Sequence, residues 1–228
     1  ARVADAVTLG PEFDAPLLTL LETRTPDGLE ARYALSIGLA WESAAELPAA
    51  IARAAFARAR AGPRSGYAFD ATATDRLWLR ALEALRGNAR LAGTEGSFAF
   101  SSTWSFEALA VAPQPEVRRV EDRKDERRVI GNEIVLKLYR RLESGPHPEI
   151  EMSRYLHDTG FPITPPLLGS IEYHPAEGES VALGVAHRFV ENQGDGWSVT
   201  LRYLARFLER RRALAAPASS SGVSPWQW

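Results

Sequence analysis

The sequence predicts an α+β protein, and three observations carry that expectation. Short apolar segments recur along the chain, divided by turns rich in Gly, Pro and Asp, as antiparallel strands and hairpins require. Residues 75–86, 148–159 and 198–214 read instead as helices, the first with a clear apolar stripe. Hydrophobic residues make up 45% and charged residues 25% of the 228, enough apolar material for a globular core.

The elements follow in order. Residues 17–23 are apolar, Thr25-Pro26-Asp27-Gly28 supplies turn chemistry and residues 31–41 form a second apolar run, which predicts a β-hairpin. Residues 49–60 are ambiguous: their alanines favour helix, yet they lead through Gly62-Pro63-Arg64-Ser65-Gly66 into 67–70, the return strand of a further hairpin. Thr74 or Asp75 can cap a helix to Arg86, with Leu77, Trp78, Ala81, Leu82 and Leu85 on one stripe and Gly87 at its end. A glycine-rich turn at 93–96 precedes a strand in which Phe98 and Phe100 alternate.

Ala112-Pro113-Gln114-Pro115 breaks regular structure and predicts a boundary between a unit at 1–112 and another at 116–214. In the second unit, 117–120 and 129–130 read as strands around a charged turn, and 133–139 as an apolar strand bearing Lys137. Pro148 suits the first position of a helix that runs to Thr159 and stops at Gly160. Prolines extend 163–168, and 170–174 and 181–190 read as strands. The Ala-, Pro- and Ser-rich residues 215–228 are expected to be disordered.

Composition excludes several function classes. There is no cysteine, hence no disulfide framework, thiolate metal site or cysteine nucleophile. A net charge of −2 gives no field for nucleic acid or an anionic membrane, and the short Arg210–Arg212 cluster reads as a solvated helix face. No apolar run approaches the roughly 20 residues that span a bilayer, and no signal-peptide pattern opens the chain, so the cytoplasm is the expected location. The four histidines lack metal-ligand spacing, and neither a Gly-x-x-x-x-Gly-Lys loop nor a Gly-x-Gly-x-x-Gly turn occurs. No metal site is expected.

Lys137 calls for an explanation, because a lysine in an apolar strand costs stability unless its ammonium meets water or a partner. It can clamp phosphates, or it can be an edge-strand lysine turned to solvent beside Arg140 and Arg141. Glu149 and Glu151 lie in the first turn of the next helix, where negative charge also favours the helix dipole. They flank the apolar stripe of Met152, Tyr155 and Leu156, and projection alone does not choose between them. The glycine-bearing segment 189–197 follows a strand whose end can offer backbone donor and acceptor to a flat heterocycle, or is simply a strand-to-helix loop anchored by Trp197.

The stretch from Val135 to Glu143, then His147-Pro148-Glu149-Ile150-Glu151, then Gly160-Phe161-Pro162 with Pro165-Pro166-Leu167-Leu168-Gly169, and then Asn192 to Trp197 resembles the N-terminal lobe of bacterial maltokinases, which also occur fused to trehalose synthase. The resemblance covers about 129–205, and more loosely 1–112 as that family's N-terminal cap subdomain. It implies an N-lobe of the eukaryotic-protein-kinase-like, aminoglycoside-phosphotransferase-like fold, in an enzyme that transfers the γ-phosphate of ATP to maltose with Mg, giving maltose 1-phosphate. By resemblance Lys137 binds phosphate, Glu151 is its helix partner with Glu149 as the fallback, and His187, Arg188, Phe189 and Val190 form the hinge.

Two departures qualify these expectations. Where the family carries small polar residues before the lysine strand, this chain has Glu121 to Arg128, four of them acidic. Such a turn cradles a triphosphate less well and predicts weak nucleotide affinity, unless Arg123, Lys124 and Arg127 supply the contacts. The family's catalytic aspartate, metal ligands and most of its sugar site lie in a C-terminal lobe reached through a His-Gly-Asp motif, which does not occur in these 228 residues. The chain is therefore expected to lack catalytic residues of its own and to be inactive alone. A non-catalytic module that docks on trehalose synthase or on a separate catalytic lobe is the alternative. Self-association through exposed apolar residues near Trp197, Tyr203 and Phe207 is a further expectation.

Overall fold

A computed structural model describes residues 1–42, 47–120, 126–192 and 196–215. The strands are β1 (Arg2–Thr8), β2 (Leu17–Arg24), β3 (Glu30–Trp41), β4 (Ala55–Ala61), β5 (Arg64–Asp70), β6 (Arg90–Ala92), β7 (Gly96–Ser102), β8 (Val117–Arg119), β9 (Glu126–Ile130), β10 (Ile134–Leu138), β11 (Arg141–Leu142), β12 (Leu167–Pro175) and β13 (Val181–Arg188). The helices are α1 (Ala49–Ala54), α2 (Asp75–Arg86), α3 (Trp104–Glu107), α4 (Pro148–Asp158) and α5 (Gly196–Ala215), with a 3₁₀ turn at Ala71–Ala73. One sheet runs β1-β2-β3-β5-β4, with β11 added beside β3, and a second runs β6-β7-β12-β13-β10-β9-β8. The pairings are antiparallel, as α+β architecture requires.

The predicted first hairpin is β2–β3, registered from Leu17↔Ile37 to Arg24↔Glu30. Its turn closes with the Thr25 N–H donating to the Leu29 carbonyl at 2.9 Å, and Gly28 takes φ +82°, a conformation that glycine adopts without steric cost. The ambiguous segment divides: Ala49–Ala54 form a short helix, and from Ala55 the backbone pairs with β5 instead.

The prolines at 113 and 115 do not separate two compact units. Strand β7, before them, pairs with β12, after them, from Gly169↔Ser102 to Pro175↔Gly96. Trp78, Phe98 and Phe100 share one core with Ile134, Leu136, Leu167 and Leu183. Residues Ala1–Phe189 are accordingly one unit, and the chain divides after Phe189 rather than near 112. The predicted stripe of α2 is fully buried in this core, each large side chain adding about 1.5–3 kcal/mol of transfer free energy.

Asp5 ties this unit together. It is 2% exposed and accepts from the N–H groups of Ala6 (2.8 Å), Thr94 (2.7 Å) and Glu95 (3.1 Å) and from the Tyr173 hydroxyl (3.0 Å). Burial alone would push its carboxyl up, but these donors together hold it below the usual aspartate range. Burial and the bond to Asp5 push the Tyr173 phenol up to about 12. Gly93 allows the approach: a Cβ there would lie 2.4 Å from Asp5 Oδ2.

The second unit begins at Val190 and contains α5, which starts two residues earlier and ends one residue later than the expected 198–214, with Trp197, Tyr203 and Phe207 exposed. The expected tail from 215 lies outside the described residues beyond Ala215.

Candidate functional site

Strand β10 lies inside the second sheet, between β13 and β9, so Lys137 stands opposite Val185 on one side and Arg127 on the other. This removes the edge-strand reading of the lysine. Ile134, Leu136 and Leu138 are buried on one face, and period-two alternation puts Val135 and Lys137 on the other. The Lys137 side chain is only 12% exposed, and its Nζ lies 2.7 Å from Glu149 Oε2.

Glu149, the fallback by sequence, is the carboxylate that meets the lysine; Glu151 is not. Helix α4 starts at Pro148, with His147 as its cap: the Glu149 N–H donates to His147 Nδ1 at 3.3 Å. In that orientation Glu149 faces β10. Glu151, two residues on and roughly 200° around the helix, is exposed. Glu149 Oε2 also accepts from the Tyr139 hydroxyl at 2.9 Å. Half-burial would raise the Glu149 carboxyl, but the Lys137 and Tyr139 hydrogen bonds and the lysine charge prevail and hold it below the ordinary glutamate range.

No protein-family model matches the chain. Among solved structures, the architecture has counterparts. The fold is similar to that of glucosamine kinase. A structure of that enzyme in complex with glucosamine, ADP and inorganic phosphate matches with a TM-score of 0.54 and 17% identity, over 92% of this chain and 40% of that one. Its crystal forms A and B match with TM-scores of 0.52 and 0.51 at 17% and 15% identity, each over 92% of this chain and 39% of the other. At these identities the likeness is one of fold, and the chain spans about 40% of the length of the glucosamine kinase.

Counting from β8, β10 is the third strand in chain order, and α4, the next helix, supplies Glu149. Helix α4 is also tied to β13, the neighbour of β10, by His187, whose Nε2 lies 2.9 Å from Ser153 Oγ. Burial pushes the His187 imidazole down, with the Lys137 and Arg127 charges acting the same way and Glu149 opposing them. These influences favour the neutral imidazole as the partner of Ser153.

The expected hinge is only partly open. His187 and Arg188 still belong to β13, opposite Val135 and Ile134. The Arg188 N–H donates to the Pro166 carbonyl at 3.0 Å and the Phe189 N–H to the Glu133 carbonyl at 2.7 Å. The backbone N–H groups of Arg188 and Phe189 are therefore already used within the fold. The ring of Phe189 lies under the Arg118 guanidinium at 5.7 Å. Val190 opens the second unit, and its carbonyl accepts from Asn192 Nδ2 at 3.0 Å. Arg123 and Lys124, and residues 193–195 of the following loop, lie outside the described residues.

Sequence reasoning passed over Tyr139, His147 and Ser153. The available signal was the i, i+2 spacing of Lys137 and Tyr139, which puts an ammonium and a phenol on the same side of an extended chain. Among the described residues no group of three His, Asp or Glu side chains could hold a metal ion, and no helix is long and apolar enough to cross a membrane.

Proposed function

We propose that this chain forms the nucleotide-binding side of a carbohydrate kinase of the maltokinase kind, with Lys137 on the α and β phosphates of ATP and Glu149 as the carboxylate that holds it. The observation that carries the reading is the 2.7 Å pair between an interior-strand lysine and a first-turn helix glutamate, in a fold similar to a sugar kinase structure. An ammonium has three donor protons, so Lys137 has the capacity to meet Glu149 and a phosphate oxygen at once. Mg arriving with the nucleotide would neutralise part of the phosphate charge. The chain's own part is to bind and orient the nucleotide. Positioning of the attacking sugar hydroxyl requires an aspartate motif that these residues do not contain, so the chain alone is expected to bind ATP without transferring phosphate to maltose.

Thermal unfolding with and without Mg·ATP tests this. A ligand at 100 times its Kd stabilises the native state by about 2.7 kcal/mol. Stabilisation that is lost in Lys137→Ala is expected; none at millimolar Mg·ATP overturns the reading. The exposed Trp197, Tyr203 and Phe207 on α5 favour a second reading, a module that docks on trehalose synthase or on a separate catalytic lobe. Co-elution with such a partner that persists in Lys137→Ala would favour it over the first.

A further inference from the structure

We infer that Tyr139 is a positioning residue for the Lys137–Glu149 pair: its phenol is a second donor that keeps the Glu149 carboxylate against β10 while the Lys137 ammonium is shared with a phosphate. The functional half of this inference rests on the nucleotide reading above.

The Lys137 ammonium and the Tyr139 hydroxyl converge on one atom, Glu149 Oε2, at 2.7 and 2.9 Å. The Tyr139 ring stacks on the imidazole of His147, with centroids 4.1 Å apart and planes 22° apart. That same imidazole accepts the backbone N–H of Glu149 at 3.3 Å. Two stacked rings therefore hold one residue at both ends, His147 its backbone and Tyr139 its carboxylate. The Lys137 Nζ also lies 4.9 Å from the Tyr139 ring centroid, so its charge faces both the ring and the carboxylate.

The arrangement solves a particular problem. A lysine held by its glutamate alone is pulled from that glutamate by an arriving polyphosphate, and the helix start is then free to drift from the strand. A phenol brings a donor to the carboxylate without a second positive charge that would compete for the phosphate. Tyr139 thereby fixes Glu149, and Glu149 keeps the ammonium aimed.

Two readouts on Tyr139→Phe test the inference. The first is the NMR titration of the Glu149 side-chain carboxyl, assigned by its disappearance in Glu149→Gln. The groups that face this carboxyl are Lys137 on β10, Tyr139 just after it, His147 before α4 and His187 on β13, with Arg127 on β9 opposite Lys137. Loss of one donor to the charged form moves the midpoint up. The second readout is Mg·ATP affinity, expected to weaken about three- to tenfold for one hydrogen bond to a partly exposed carboxylate, with the acid limb of binding starting at higher pH. His147→Ala, which removes the stacked ring but leaves the phenol, is expected to move the midpoint in the same direction by a smaller step. An unchanged Glu149 titration in both variants overturns the inference. A shifted titration in a protein whose wild type does not bind Mg·ATP supports the phenol's hold on Glu149 and overturns the nucleotide reading, so the two failures are distinguishable.

Discussion

Glu149→Gln isolates the charge of the strand-to-helix pair while keeping its volume. The amide retains one acceptor oxygen, but its nitrogen cannot accept, and Lys137, 12% exposed, loses the negative charge 2.7 Å from its Nζ. Hydrogen bonds to charged groups are worth about 1.5–3 kcal/mol each, and two meet on Glu149 Oε2. The glutamate side chain is 35% exposed, so water screens much of this, and a net loss of about 1–2 kcal/mol is the expected result. For a chain of this size that is a fall in Tm of about 2–8 °C. The pH dependence supplies a second check. Glu149 is held below the ordinary glutamate range, so its stabilising contribution is present at neutral pH and is lost as pH falls through its folded-state value. The gap between wild type and variant should therefore be full above about pH 5 and close on further acidification. Calorimetric unfolding from pH 7.5 down to about pH 3 reads both effects. A variant as stable as wild type at pH 7.5, or a gap that acid does not narrow, would refute the reasoning.

Two further substitutions probe the framework. Asp5→Asn replaces a 2% exposed carboxylate that accepts from four donors with an amide that presents two donors of its own. A loss of about 2–4 kcal/mol in denaturant unfolding is expected at pH 7, diminishing below about pH 4 as wild-type Asp5 also protonates. Gly93→Ala puts a Cβ within 2.4 Å of Asp5 Oδ2 and should cost about 1–3 kcal/mol. Because both changes strike one contact, their double-mutant effect should fall short of the sum; full additivity would mean that the two residues do not share a network.

Local signals in the sequence located much of this fold. The Thr25-Pro26-Asp27-Gly28 turn between apolar runs marks the β2–β3 hairpin, and the spacing of Leu77, Trp78, Ala81, Leu82 and Leu85 marks the buried face of α2. Lys137 was recognisable because a charge in an apolar strand demands a partner. What local sequence could not supply is long-range pairing. The prolines near 113 look like a boundary, but β7 and β12 pair across them, and Asp5 meets Thr94, Glu95 and Tyr173 only through the folded chain. The choice between Glu149 and Glu151 depends on how α4 is rotated against β10, which is a tertiary fact. So is the end of β13 at Arg188, where the backbone N–H groups of Arg188 and Phe189 find the Pro166 and Glu133 carbonyls.

The central claim is that Lys137 faces a bound nucleotide's phosphates. It is tested most directly by treating the folded protein with an adenosine analogue that carries a lysine-reactive sulfonyl fluoride in place of the terminal phosphates, followed by mass-spectrometric mapping of the modified peptide. The account predicts modification of Lys137, suppressed by excess Mg·ATP and reduced on denaturation. Modification spread over Lys124, the one other lysine, and the tyrosines, or labelling of Lys137 that excess Mg·ATP does not suppress, would contradict it.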